Sequence, residues 1–271
     1  MSVGKGRRVV KASTLAAQLV TILALVVACG GRAVGRRATV SSPTPRALST
    51  MVVVSGGWFL MGDDDGRRSS RPQRVISVDG FAIDSTEATN AAVAQFVEET
   101  STELVGWDVS QARERPDYPA VGLLWREADA FCRWAGKRLP TEAEWEKAAR
   151  DTDGRRYPWG DTWEAGRANT AESGLRGVVE VGSFPEGASP FGVLDMAGNA
   201  AEWVADAFDP AYYTYGPVQN PSGPDAVLDH GLRGGSWAAP CEHAQTFFRD
   251  SSHSVRPNPR VGFRCARSLD G

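Results

Sequence analysis

The sequence is poor in the residues that build redox and metal centres. It holds four cysteines and three histidines in 271 residues. The histidines, His230, His243 and His253, all come late in the chain, so no histidine-rich run exists to ligate a metal. It also lacks an excess of basic charge. Thirty Lys and Arg against 33 Asp and Glu leave a net charge of −3 and a pI near 5.7. The electrostatic footprint of a nucleic-acid binder is absent, and no nucleic-acid partner is expected. Long apolar runs are missing too. The best, about Leu15 to Ala28, is broken by Gln18 and Thr21 and is too short to span a bilayer comfortably. After Arg150, Gly, Pro and Asp punctuate the chain and no long periodic run appears. What is abundant is Gly (29), Pro (16) and Trp (9), which points to a loop-rich domain held by aromatic anchors. A core of that kind needs staples such as a disulfide or bound ions. The length suits one large domain or two small ones.

Residues 1–28 differ in kind from the rest. Lys5, Arg7, Arg8 and Lys11 precede the apolar run, which reads as the h-region of a signal peptide. The run ends in Val26-Val27-Ala28-Cys29, and a small residue before a cysteine resembles a bacterial lipoprotein cleavage box. The expectation is a lipoprotein signal peptide over 1–28, a lipid on Cys29, and membrane anchoring in the bacterial cell envelope, facing the periplasm or exterior. The alternative is an ordinary signal peptide with an incidental cysteine. Arg7-Arg8-Val9-Val10-Lys11 also resembles a twin-arginine export signal. Residues 29–49 are rich in Gly, Arg, Ser and Pro, the composition of a flexible tether.

The clearest local signal lies at Pro140-Thr141-Glu142-Ala143-Glu144. Pro140 stops what precedes it. Thr141 is a natural N-cap, and Glu144, three residues on, completes a capping box. A helix is therefore expected over Thr141–Arg150. Others are expected from Glu87 to about Thr100, with Val93, Phe96 and Val97 on one face, and from Trp125 to Ala135, with Ala128, Phe131 and Cys132 inward. Alternating apolar residues from Val75 to Ile83 read as one strand.

The string Lys137 to Glu146 resembles the signature of the formylglycine-generating enzyme (sulfatase-modifying factor) family. Seven further segments match that family in order: Met51 to Gly62, Glu87 to Asn90, Trp134 to Gly136, Tyr157 to Asp161, Phe191 to Asn199, Arg233 to Trp237, and Gly262 to Cys265. The resemblance covers roughly residues 50–268 and implies a single α+β domain there, related to the C-type lectin fold, with few regular elements. It implies a disulfide between Cys132 and Cys265, where two buried free thiols are the alternative. It also implies a structural calcium held by Asp195, Gly198, Ala200 and Glu202. Carboxylate and carbonyl oxygens suit that ion. The competing reading of this segment is a tight turn in which Glu202 caps or pairs with an arginine.

The resemblance fails where the chemistry should be. Enzymes of the family oxidise a substrate cysteine with two cysteines five residues apart, whose soft thiolates bind Cu(I). The matching positions here are Ala239 and Ala244, and Ala201 stands where an aromatic residue is expected beside the oxygen site. Copper is therefore not expected. Cys241 lies between the two alanines, and with His243 it forms a weak candidate for a nucleophile pair. Nor does the chain hold the histidines of the family's iron-dependent members. The leading expectation is a non-catalytic binding or structural module whose cleft wall keeps Arg233, Ser236 and Trp237 and whose partner is an exported protein or glycan. The alternative is an enzyme of the family with altered oxidase or other chemistry on an exported substrate.

Overall fold

Four α-helices lie between Asn90 and Arg150 in the computed structural model, which describes residues 48–225 and 229–269. They are α1 (Asn90–Thr100), α2 (Val109–Glu114), α3 (Trp125–Trp134) and α4 (Glu142–Arg150). The capping box forms as its residues imply. Thr141 Oγ1 accepts the Glu144 N–H at 3.2 Å, and Glu144 Oε2 accepts the Thr141 N–H at 2.8 Å. Thr89 caps α1 in the same manner, accepting from the Ala92 N–H. The short helix α2 follows Asp108, whose carboxylate accepts from Ser110 and Gln111. It is too brief to show a hydrophobic period, so only its cap marks it in the sequence.

Nine strands complete the described residues: β1 (Met51–Val54), β2 (Gly57–Met61), β3 (Arg74–Val78), β4 (Phe81–Asp84), β5 (Ala201–Ala207), β6 (Asp229–Arg233), β7 (Asp250–His253), β8 (Val261–Phe263) and β9 (Ala266–Ser268). They form three small sheets, in the orders β1-β4-β9, β2-β3 and β7-β6-β5-β8. The single strand expected over Val75–Ile83 is thus two strands in different sheets. The turn residues Asp79 and Gly80 break it, although the apolar alternation runs through both halves.

Two apolar clusters hold these pieces together. One gathers Trp145, Ala148 and Ala149 of α4 against Phe59, Ile76 and Phe81. The other gathers Phe131 and Cys132 of α3 against Trp203, Phe263 and Cys265. The Phe131 and Phe263 rings meet edge to face with centroids 5.2 Å apart. Here the disulfide between Cys132 and Cys265 closes, with both cysteines fully buried and their Cα atoms 5.6 Å apart. It ties α3 to the segment between β8 and β9. The architecture is the loop-rich α+β arrangement expected. Cys29, the signal segment and nearly all of the tether lie outside the described residues.

Candidate binding cleft

The sheet β7-β6-β5-β8 supplies the floor of a hollow of about 290 Å³. Ala201 of β5, Leu232 of β6 and Val261 of β8 lie on that floor. One wall is the loop after β6. Gly234 and Gly235 carry φ of 86° and 69°, and a Cβ on Gly235 would fall 2.8 Å from the His243 carbonyl oxygen. Only glycine allows so close an approach at that φ. The loop is thereby pressed against the turn 241–244, and Ser236 and Ala239 face the hollow.

Of the three cleft residues expected from sequence, Ser236 lines the hollow. It is 6% exposed, and its hydroxyl has no hydrogen-bond partner in the described protein. Trp237 is not among the residues lining the hollow. Its backbone N–H donates to the Asn199 carbonyl at 2.9 Å, and the Arg260 guanidinium lies 5.6 Å from its ring centroid. Arg233 borders the hollow, but its fully buried guanidinium turns into the core. There Nη2 donates to Glu146 at 2.6 Å and Nη1 to Glu142 at 3.2 Å, and the group sits over the Trp145 ring. Its charge neutralises carboxylates of α4. Asp250, Asn258, Arg260, His243 and Phe248 complete the cleft. They lie beyond the motif that ends at Trp237, so sequence reasoning passed over all of them but His243, which it read only as a partner for Cys241.

The positions of the missing thiols separate. Ala239 lines the cleft, as does Ala201, so the absent aromatic and one absent thiol leave open space in the same hollow. Ala244 is fully buried and packs with Ala168 and Ala197. Cys241 is a free thiol outside the cleft lining, beside Glu172 and Glu242, with the ligand atoms of the three within 4.8 Å of one another. Burial, then those two carboxylates, push its pKa up, which lowers the thiolate fraction that a nucleophile needs. His243 does not serve it as a base. Its ring stacks on Phe248, and its Nε2 lies 3.0 Å from Arg67 Nη2 as acceptor.

The Asp195–Glu202 turn shows the arginine pairing for Glu202. Glu202 is fully buried; its Oε2 accepts from Arg264 Nε and Trp145 Nε1, each at 2.7 Å, and its Oε1 accepts from Arg264 Nη2 at 2.7 Å. Both oxygens thus accept hydrogen bonds, the arginine pairing that the competing reading of this segment expects. Gly198 is required by packing, since a Cβ there would lie 2.3 Å from the Asn169 carbonyl oxygen. Asp195 accepts the Gly182 N–H at 2.6 Å and lies beside Glu87. Glu87 is fully buried; Oε1 accepts from Asn199, and Oε2 has no partner. Burial, then the Asp195 charge, hold its pKa well above the usual carboxylate range. Three carboxyls here share one guanidinium, so the excess of acid lies between Asp195 and Glu87.

A second buried acid gives a pH-dependent stability. Asp206 Oδ2 accepts the Glu142 N–H at 2.8 Å, and burial, then the Glu142 charge, push its pKa from 3.8 up to about 8. The folded protein keeps this proton up to about pH 8, whereas the unfolded chain releases it near pH 4. Between those limits the native state binds more protons, so stability falls as pH rises. Asp206→Asn keeps the acceptor oxygen and is expected to flatten that fall. Urea unfolding of both proteins from pH 5 to 8 checks it; parallel curves would rule the effect out.

The chain matches a family model described as Sulfatase-modifying factor enzyme 1-like domain over residues 37–269. It is 33% identical to a formylglycine-generating enzyme of Streptomyces coelicolor, covering 83% of this chain and 91% of that protein. It is 32% identical to the inactive C-alpha-formylglycine-generating enzyme 2 of Mus musculus, covering 80% of this chain and 85% of that one. Among solved structures, PvdO from Pseudomonas aeruginosa superposes with a TM-score of 0.68 at 27% identity, covering 82% of this chain and 95% of that one. Variable protein 1 of Treponema denticola superposes with a TM-score of 0.67 at 21% identity, over 81% of this chain and 95% of that one, a likeness of fold alone.

Proposed function

The chain belongs to the sulfatase-modifying factor family, and we propose that it is a non-catalytic member in which the cleft binds rather than oxidises. The observation that carries this reading is the content of the hollow. Ala201 and Ala239 leave space where the family's resemblance places an aromatic ring and a thiolate, and Ala244 is packed among alanines. Among the described residues the one free thiol, Cys241, lies beside two carboxylates that oppose its ionisation. A lone thiol cannot form a two-thiolate Cu(I) site.

A calcium ion is part of the same proposal. It would sit against the carboxylates of Asp195 and Glu202 and the carbonyls of Gly198 and Ala200, beside the Glu87 carboxyl. The support is the orphaned Glu87 Oε2 in a cluster with more acid than base. The two metals give one experiment on the purified chain. Calcium is expected to raise the melting temperature, because it binds the folded state alone. Cu(I) is expected to bind no more tightly than one exposed thiol, and a Cys-x-Pro-x-Arg peptide is expected to yield no aldehyde and consume no oxygen. Tight stoichiometric Cu(I) binding or aldehyde formation would return the protein to the oxidases. A melting temperature indifferent to calcium and chelator would leave a shared proton, not an ion, between Asp195 and Glu87.

The proposal places the module on the cell envelope through a lipid on Cys29, with an exported protein or glycan as its wider partner. The support is the cleavage-box pattern at Val26 to Cys29. Among the described residues no helix is long and apolar enough to cross a membrane. Cys29→Ser is expected to shift the protein out of the membrane fraction or stop its processing; an unchanged fraction and intact mass would dismiss the anchor.

A further inference from the structure

The cleft carries opposite charges at its two ends and apolar surface between them. Asp250 belongs to β7, and Arg260 immediately precedes β8. Across β6 and β5 the register runs from Asp250 through Leu232 and Trp203 to Phe263, so three spacings of about 4.8 Å and three residues of about 3.3 Å along the strand set the Asp250 and Arg260 backbones about 17 Å apart. Both line the hollow. Among the described residues neither takes part in an ion pair. Asp250 Oδ1 accepts only the Ser251 N–H, at 2.9 Å, and the Arg260 guanidinium rests over Trp237. Arg67 approaches the Asp250 end, where its Nη2 lies 3.0 Å from His243 Nε2.

Between the charges the surface is made of small side chains. Ala201, Leu232 and Val261 form the floor, and Ala238 and Ala239 the wall. Ser236 adds a hydroxyl that is 6% exposed and without a partner in the described protein. At about 290 Å³ the hollow is at the small end of the range for small-molecule sites, roughly 300–1,000 Å³. A mid-chain peptide segment would bring no charge to either end and would desolvate both for nothing, which is unfavourable. A small zwitterion satisfies both.

We propose that the cleft binds a free α-amino acid with a small apolar side chain, its ammonium toward Asp250, its carboxylate toward Arg260 and the Ser236 hydroxyl, and its side chain over Ala201 and Leu232. This rests on the binding reading of the cleft, but its test is independent of copper and aldehyde chemistry. L-valine titrated calorimetrically into the full chain is expected to give saturable binding at one site. Asp250→Asn and Arg260→Gln should each weaken it at least tenfold. N-acetyl-L-valine, which lacks the ammonium, and L-valinamide, which lacks the carboxylate, should show the same loss with the unmodified protein. Ala201→Trp should fill the hollow and abolish binding with the circular dichroism unchanged. Failure of valine to bind at millimolar concentration overturns the inference. So does binding of N-acetyl-L-valinamide as tight as that of valine, which would assign the cleft to peptide segments and leave the binding reading intact.

Discussion

Arg264→Met is expected to destabilise the protein by about 3–5 kcal/mol, the usual effect of removing one partner from a buried ion pair. Arg264 and Glu202 are both fully buried, and two guanidinium nitrogens serve the one carboxylate. The remaining donor to Glu202, Trp145 Nε1, is neutral and cannot balance its charge. Arg264 also donates to the carbonyls of Asp84 and Leu194, at 3.0 and 2.9 Å, so those acceptors lose a partner as well. Denaturant unfolding at neutral pH should show a lower midpoint with an unchanged slope. Adding Glu202→Leu should recover part of the loss, because an apolar pair leaves no unpaired charge. A single-variant loss below about 1 kcal/mol would mean that water or an ion reaches Glu202.

Replacing Cys132 and Cys265 together by serine is expected to cost about 2–5 kcal/mol. The residues are 133 positions apart, so the unfolded chain gains much freedom when the bond is lost. The folded state loses as well, since two hydroxyls then enter a cluster of Phe131, Trp203 and Phe263. Melting curves of the variant, and of the unmodified protein with and without reductant, should separate by several degrees. Non-reducing peptide maps should show Cys132 joined to Cys265 and Cys241 free. Coincident melts would make the bond incidental to stability.

The sequence disclosed what is local or what the family pattern marks. The capping box at Thr141 and Glu144 needs only four consecutive residues, and it forms as read. Asp79-Gly80 was equally local, but the apolar alternation on either side concealed it, and two strands looked like one. Helix α4 misleads in a different way. Glu142, Glu144, Glu146, Lys147 and Arg150 suggest a solvated face, yet all nine residues of the helix are buried. Their burial depends on Arg233 and Arg249, which reach Glu142 and Glu146 from 87 to 107 positions away. No window of sequence contains both members of such a pair. The cleft was visible only through Ser236 and the alanine substitutions. Its charged ends come from β7 and the segment before β8, whose approach is set by strand order.

The long reach of these pairs dictates when the chain can fold. A polypeptide emerging N-terminus first exposes Glu142 and Glu146 long before Arg233 and Arg249 appear. Asp84 waits for the Cys265 N–H, Glu202 for Arg264, and Cys132 for Cys265. Until those last residues are out, the first core cluster holds charged groups it cannot bury, and the second lacks its covalent tie. Non-local closure of this kind is slow and leaves apolar surface exposed during synthesis. Deleting as few as eight residues from the end, beginning at Arg264, should therefore give an insoluble or rapidly degraded product rather than a smaller folded domain.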